Sequence, residues 1–428
     1  MLSVDREKGN CVAGPSKSTP AAGAVGDPPL KVDCQTNKKD ERAPGQGAAA
    51  GLAPGAAGTA RANHPGKAAR NSPGSGSGGG HPVYAALDLG TNNCRLLVAL
   101  PARQGFRVID AFSRIIRLGE GLSQSGRLSE AAILRTIEAL KVCRDKMANR
   151  GVQRSRVIAT EACRAAENAD EFLSRVEEQA GLSLEIVSRE TEARLAVSGC
   201  ASLLDRSAEG AIIFDIGGGS SEIAWVDLQP GKRCCPLEAQ RRIRAWTSLP
   251  VGVVTLAERF GGIDVTPALF EAMVGDVQGR LADFEAKNGI SATINGRNVH
   301  MVGTSGTVTT IAGVHLALPR YERSRVDGCW LSAGQVREVT DRLVSMSYAD
   351  RVANPCIGVE RADLVLAGCA ILEAIRRQWT CARLRVADRG LREGILATLM
   401  AEDGNLRGMG VRNRRRRRRH PRRRQAAG

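Results

Sequence analysis

The chain has 428 residues, 43% of them hydrophobic and only 3% aromatic, with a formal charge of +16. That composition fills two aliphatic cores with polar tails to spare, which suits buried parallel strands covered by helices. Twelve scattered cysteines, Cys234 and Cys235 adjacent but none in CxxC spacing, exclude a zinc clamp of that kind, and five dispersed histidines (His64, His81, His300, His315 and His420) exclude an HD or HExxH centre, so metal chemistry here has to use oxygen ligands.

Residues 1–82 are rich in Gly, Ala, Pro and Ser and cannot offset chain entropy by burying apolar area, so a disordered tail is expected. From Val83 the string VYAALDLG reads as a buried strand running into a glycine turn, with further strands at Arg95–Leu100 and Phe106–Ala111. A helix follows Ser129 as far as Asn149. Ser129 caps it, Glu130 favours its first turn, Ile133, Ile137 and Leu140 share a face, and Gly151 stops it. A strand at Arg156–Thr160, a helix at Asp170–Ala180 and a strand at Leu184–Ser188 complete the order βββαβαβ, the pattern of a ribonuclease-H-like lobe over 83–192. From Gly210 the string GAIIFDIGGGSSEIAWV starts the same plan again. Helices near Val253–Phe260, Pro267–Lys287, Val308–Leu316, Gly334–Met346 and Asp363–Gln378 alternate with strands near Ile243–Ser248, Val299–Gly303 and Leu384–Ala387, predicting a larger lobe over 193–388. The segment 389–402, with a helix at Leu391–Met400, is expected to return to the first lobe, and 403–428 to be a disordered Arg-rich tail. The fold class is α/β, two ribonuclease-H-like lobes facing a cleft. With no apolar run near twenty residues and no leader pattern, a cytoplasmic location without membrane contact is expected.

Three glycine-rich loops carry the chemistry. In Asp88-Leu89-Gly90-Thr91-Asn92-Asn93 an acid ends a buried strand and Gly90 lets backbone amides approach an anion, with Thr91 and Asn92 as added donors; an ordinary hairpin turn uses the same residue types. Asp215-Ile216-Gly217-Gly218-Gly219-Ser220-Ser221-Glu222 is less ambiguous. Three glycines between strands weaken a sheet unless something must come close to the backbone. Phosphate is the simplest candidate, and Asp215 and Glu222 then become candidate ligands for Mg²⁺ or another divalent cation. Gly303-Thr304-Ser305-Gly306-Thr307 leaves a strand and opens a helix, so its amides can face an anion, with Ser305 or Thr307 as cap.

These loops resemble those of the actin-like ATPase superfamily, in which DxGT and DxGGG hairpins pinch a polyphosphate between lobes. The strings ATEACRAAENADEF (Ala159 to Phe172), IVSRETEARLA (Ile186 to Ala196), FDIGGGSSE and GTSGT narrow the resemblance to the short form of the Ppx/GppA exopolyphosphatase and guanosine pentaphosphate phosphohydrolase family, over Tyr84 to Met400. The resemblance implies that Glu192 activates the attacking water and that Arg164 holds substrate phosphate. It further implies that Asp88, Asp215 and Glu222 lie near the metal, and that Gly90, Thr91, Asn92, Gly217, Gly218, Gly219, Ser220, Gly303, Ser305 and Gly306 cradle phosphate. From the residues alone, Glu192 also reads as an exposed acid at a helix start and Arg164 as a surface cation. Asn93 stands where a serine is frequent in the family, and longer members continue into helical HD-like regions.

The expected reaction is hydrolysis of terminal phosphate from polyphosphate or guanosine pentaphosphate. A superfamily phosphotransferase using ATP, or a non-catalytic nucleotide sensor with an RNA-binding tail, are the alternatives. The run Arg414 to Arg424 has nine arginines in eleven positions. It suits nonspecific contact with a polyanion and equally a solvated tail. A homodimer is left open.

Overall fold

The computed structural model describes residues 82–406 apart from Gln104; residues 1–81 and 407–428, with His64, His81, His420 and the run Arg414 to Arg424, lie outside the described residues, whereas Asp403 and Leu406, expected in the C-terminal tail, pack on the first lobe, Asp403 accepting from the Tyr84 hydroxyl at 2.8 Å and Leu406 buried. Eleven strands form two sheets: β1 (Tyr84–Leu89), β2 (Asn93–Pro101), β3 (Phe106–Ile115), β4 (Arg154–Ala159) and β5 (Glu185–Ile186) in the first, β6 (Gly210–Ile216), β7 (Ser221–Asp227), β8 (Ile243–Leu249), β9 (Val299–Thr304), β10 (Trp330–Ser332) and β11 (Arg383–Ala387) in the second. The orders are β3-β2-β1-β4-β5 and β10-β11-β9-β6-β7-β8. In each, an antiparallel meander of three strands is continued by parallel strands from its first member, so β6, β7, β8, β9 and β11 repeat the roles of β1, β2, β3, β4 and β5. β10, three residues long, is an addition at the edge of the second sheet.

The helices form where the sequence places apolar stripes and caps. Ser129 accepts from the Ala132 amide and starts Glu130–Asn149, whose Ile133, Ile137 and Leu140 are buried under the first sheet with Phe172 and Val176 of Ala169–Ala180. Thr266 caps Pro267–Asn288, and that helix packs with Val365–Gln378 in the larger core of the second sheet. A continuous helix, Arg189–Cys200, capped by Ser188, runs through the expected boundary at 192–193 and continues as a turn of 3₁₀ helix, Ala201–Leu203. Its Leu195 packs with the first sheet and its Val197 and Cys200 with the second, so the two lobes are joined by a shared helix rather than a loop. The helix Leu391–Glu402 lays Leu391, Ile395, Leu396, Leu399 and Met400 on Tyr84, Ala86 and Leu97 of the first sheet. Among the described residues no helix is long and apolar enough to cross a membrane.

Candidate active site

The two repeated hairpins build the same turn. Gly90 N donates to Asn93 O at 2.9 Å, and Gly217 N to Ser220 O at 2.9 Å. In the strands that flank each turn, Asp88 pairs across with Arg95 and Asp215 with Glu222, so each hairpin presents two ionisable side chains on one face of its sheet. The turns meet tip to tip. A Cβ on Gly218 would lie 2.9 Å from Thr91 Cβ and 3.2 Å from the Asn92 nitrogen, and one on Gly219 2.9 Å from Thr91 Oγ1. Glycine is required there by the approach of the opposite lobe. The carbonyls of Gly217 and Gly218 are held in turn by the Val253 and Val254 amides (2.9 and 2.8 Å) at the start of the helix Val253–Phe260.

The third loop is stitched to the second by Ser305, whose hydroxyl donates to the Ile216 carbonyl at 2.6 Å. Ser305 has φ 81°, a left-handed conformation that non-glycine residues resist, and such strain of about 1–3 kcal/mol persists mainly where function fixes the backbone. No side chain caps the helix Gly306–His315, which leaves its first amides free for an anion. Thr307, expected as a possible cap, is instead buried against Gly368. Gly303 departs from the expectation more clearly. It lies within β9, and a Cβ there would strike the Phe214 ring (2.6 Å) and Val308 (2.8 Å), so its missing side chain makes room for core packing.

Around these turns Gly90, Thr91, Asn92, Gly217, Gly218, Gly219, Ser220, Ser305 and Gly306 line one cavity of about 130 Å³ together with Asp88, Asp215, Glu222 and Glu192. All four acids are pushed toward protonation. Burial raises Asp88; burial and then neighbouring Asp88 raise Asp215 to about 6; burial and then Asp215 raise Glu222 to about 7; burial and then Glu222 raise Glu192 well above the usual carboxylate range. Glu222 accepts from Ser220 Oγ (2.9 Å) and Ser248 Oγ (2.7 Å). Asp88, Asp215 and Glu222 form no ion pair among the described residues.

Glu192 is only 9% exposed, not the surface acid its sequence position alone would allow. Arg164 donates to it at 2.7 Å. The same guanidinium donates to Glu161 (2.9 Å) and to the Val187 carbonyl (2.7 Å), and Arg164 is absent from the cavity wall. Each of its three nitrogens donates to protein, and Arg164 stands behind Glu192 rather than on the cavity wall.

Besides Arg323 and Arg389, which are ion-paired, three cations that the loops alone did not reveal face the cleft. Arg95 on β2, Arg361 in the loop before Val365–Gln378 and Arg392 at the start of Leu391–Glu402 make no side-chain hydrogen bond or ion pair among the described residues. Burial, with Arg95 close by, pulls the Arg361 and Arg392 guanidinium groups below their usual value. All three line a wider basin of about 750 Å³ that shares Asp88, Asp215 and Ser305 with the narrow cavity, and Arg95 and Arg361 line the narrow cavity as well. A sequence signal existed for two of them, an arginine interrupting the apolar strand NCRLLVALP and another in the apolar helix LREGILATLM.

The sequence model described as the Ppx/GppA phosphatase family matches residues 97–403. A guanosine-5'-triphosphate,3'-diphosphate pyrophosphatase of Aeromonas salmonicida is 28% identical over 323 residues, 75% of this chain and 60% of that protein. The chain therefore spans 60% of the length of that curated relative. The crystal structure of the Aquifex aeolicus member of the Ppx/GppA family is similar at TM-score 0.61 and 29% identity, over 75% of this chain and 98% of that one. An exopolyphosphatase from Cytophaga hutchinsonii, 21% identical with TM-score 0.65 over 75% of this chain and 98% of its own, shares the fold.

Proposed function

The chain belongs to the Ppx/GppA phosphatase family, and from that premise we propose that it removes terminal orthophosphate from inorganic polyphosphate or guanosine pentaphosphate by attack of a water that Glu192 orients. The observation that carries this reading is a buried carboxylate, gripped from behind by Arg164, in a cavity walled by three glycine-rich turns. A raised proton affinity suits a group that must take a proton from water as it attacks. Arg164 fixes the carboxylate and keeps part of its charge. The turn amides and the free first turn of Gly306–His315 receive the oxygens of the transferred group, where most of the charge of a loose phosphoryl transition state lies.

A divalent cation fits the donor set. Burial and then Asp88 raise the proton affinity of Asp215, which forms no ion pair among the described residues, and the buried side-chain oxygens of Asn92 and Asn93 have no hydrogen-bond donor. Among the described residues no three Asp, Glu, His or Cys side chains converge on one point, so an ion held by Asp88, Asp215 and Glu222 would complete its shell with water and substrate oxygens, as Mg²⁺ commonly does. Such an ion supplies neutralising charge on the phosphate oxygens. Asp215, Asp88 and Glu222 would otherwise repel the substrate.

The two cavities give the substrate a direction. About 130 Å³ is well below the roughly 300 Å³ at which pockets begin to hold drug-sized ligands, so the slot takes an end group; the 750 Å³ basin, which shares Arg95 and Arg361 with the slot and adds Arg392, takes the rest of the substrate. Both a phosphate chain and the remainder of guanosine pentaphosphate are anionic there. Phosphate release from each substrate with Mg²⁺ is the test. Glu192→Gln is expected to lose about 10²–10⁴-fold in rate while retaining binding, and an equal rate in the variant removes Glu192 from this role. ATP consumption that requires an added acceptor would support phosphotransfer instead.

A further inference from the structure

The segment 116–123, which leaves β3 toward the helix Glu130–Asn149, is bonded to both sides of the cleft. Within its own lobe the Ile116 and Arg117 amides donate to the Asn92 carbonyl (2.9 and 3.1 Å) and Gly119 N donates to Thr91 O (3.0 Å). The contact is so close that a Cβ on Gly119 would lie 2.3 Å from Thr91 Cγ2. Across the cleft, the Arg117 guanidinium forks onto both carboxylate oxygens of Asp363 (3.0 and 3.2 Å) and reaches the Glu360 carbonyl (3.2 Å). A second bridge runs from the Gly121 amide (2.8 Å) and the Ser123 hydroxyl to Glu258.

The partners in the second lobe are not arbitrary positions. Glu360 and Asp363 flank Arg361, one of the three cations that face the basin. Glu258 lies on Val253–Phe260, the helix whose first amides hold Gly217 and Gly218. Arg117 itself has φ 45°, a left-handed backbone that a residue with a Cβ adopts only when its surroundings insist. Bidentate arginine–carboxylate pairing adds geometry as well as attraction, which a lysine cannot reproduce.

We propose that Arg117 is a positioning residue: its fork on Asp363 and Glu360 sets the approach of the two lobes and aims Arg361 at the substrate. The inference rests on the hydrolase reading above and adds a residue that touches no substrate. Glu120 lies 3.8 Å from Arg117 on the same segment and is the weaker partner available when Asp363 is lost.

Two measurements on the full chain test it. Phosphate release from inorganic polyphosphate with Mg²⁺ is followed for wild type, Arg117→Ala, Arg117→Lys and the exchanged pair Arg117→Asp with Asp363→Arg. Arg117→Ala is expected to lower kcat/KM about tenfold, in the range usual for coupling between distant groups, with Lys recovering little and the exchanged pair recovering part. Hydrogen exchange reads closure independently of turnover. In Arg117→Ala the Gly121 amide, whose acceptor is across the cleft, is expected to exchange about tenfold faster, while Ala139 and Leu140 in the first core are unchanged. Unaltered kinetics and exchange in Arg117→Ala overturn the proposal, as does a loss that the core amides share. A wild type that exchanges as expected but releases no phosphate overturns the hydrolase reading and leaves the clasp standing.

Discussion

Gly218→Ala tests whether the tip-to-tip contact of the two hairpins sets the reaction geometry. The new methyl would lie 2.9 Å from Thr91 Cβ and 3.2 Å from the Asn92 nitrogen. Carbon atoms rest about 3.5–4.0 Å apart, so the turns must part by about 1 Å. Neither partner is the far end of a flexible side chain, and the carbonyl of Gly218 is itself tied to Val254. The strain therefore opens the cleft in preference to being absorbed inside one lobe. A misplacement of about 1 Å in a positioned reaction costs about a hundredfold, so kcat/KM for phosphate release should fall by about that factor. The core clusters of both sheets lie away from the contact, and the thermal midpoint should move by no more than a few degrees. A control is Gly279→Ala, in the middle of Pro267–Asn288 with no atom within 4 Å of the new methyl; it should leave activity unchanged and add up to about 1 kcal/mol of stability. Full activity in Gly218→Ala, or an activity loss matched by unfolding, would refute the reasoning.

Asp215→Asn removes a carboxylate that burial and Asp88 hold at about 6 against an ordinary 3.8. At about 1.36 kcal/mol per pH unit that is on the order of 3 kcal/mol. The folded state binds the proton more tightly, so in wild type without divalent cation the Asp215 contribution to stability should be lost between about pH 4 and pH 6 and be constant above; denaturant titrations at pH 4 and pH 8 should show the variant gaining only at the higher pH, even as its hydrolysis is lost. An equal stability gap at both pH values would contradict the burial argument. Gly303→Ala should destabilise by about 1–3 kcal/mol through Phe214 and Val308 while leaving KM within a few-fold, and the opposite pattern would return Gly303 to the phosphate site. Arg164→Ala withdraws the charge that lowers the proton affinity of Glu192, so the acid limb of the kcat profile should move to higher pH with KM little changed; a raised KM with an unmoved limb would make Arg164 a substrate ligand.

Much of this arrangement is legible in the chain because it is local. A glycine run between two β-branched strands, an acid at each strand end and a Ser129 or Ser188 cap all act through neighbours within a few residues, and the elements form near where those signals place them. What is not legible depends on distant contacts. Gly303 sits beside a phosphate-loop string, and only the position of Phe214 shows that its bareness serves the core. Arg164 reads as a cation aimed outward until Val187, Glu161 and Glu192 are seen to accept from its three nitrogens. Arg95, Arg361 and Arg392 come from a strand, a loop and a helix separated by more than two hundred residues at the extremes, and topology alone brings them to one basin. β10 leaves no trace in the residue pattern because three residues at a sheet edge carry too short an alternation to register.

The repeat explains how the cleft acquires its polarity. β1-β2 and β6-β7 are the same hairpin, with Asp88 equivalent to Asp215 and the cross-strand partners Arg95 and Glu222 equivalent to each other. Two copies of an Asp–Glu hairpin would face phosphate with four acids from the turns alone, and two copies of an Asp–Arg hairpin would leave only two acids there for a cation. The mixed pair separates the two demands. The second hairpin concentrates negative charge beside Glu192, where the proposed function would put an ion and the end phosphate, and the first turns Arg95 toward Arg361 and Arg392, at the border between the narrow cavity and the basin proposed for the remaining phosphates. Since cross-strand partners share a face, a difference at the one position opposite the aspartate, Arg95 against Glu222, is enough to give the two hairpins opposite charge there, and the proposed entry side and reacting end rest on it.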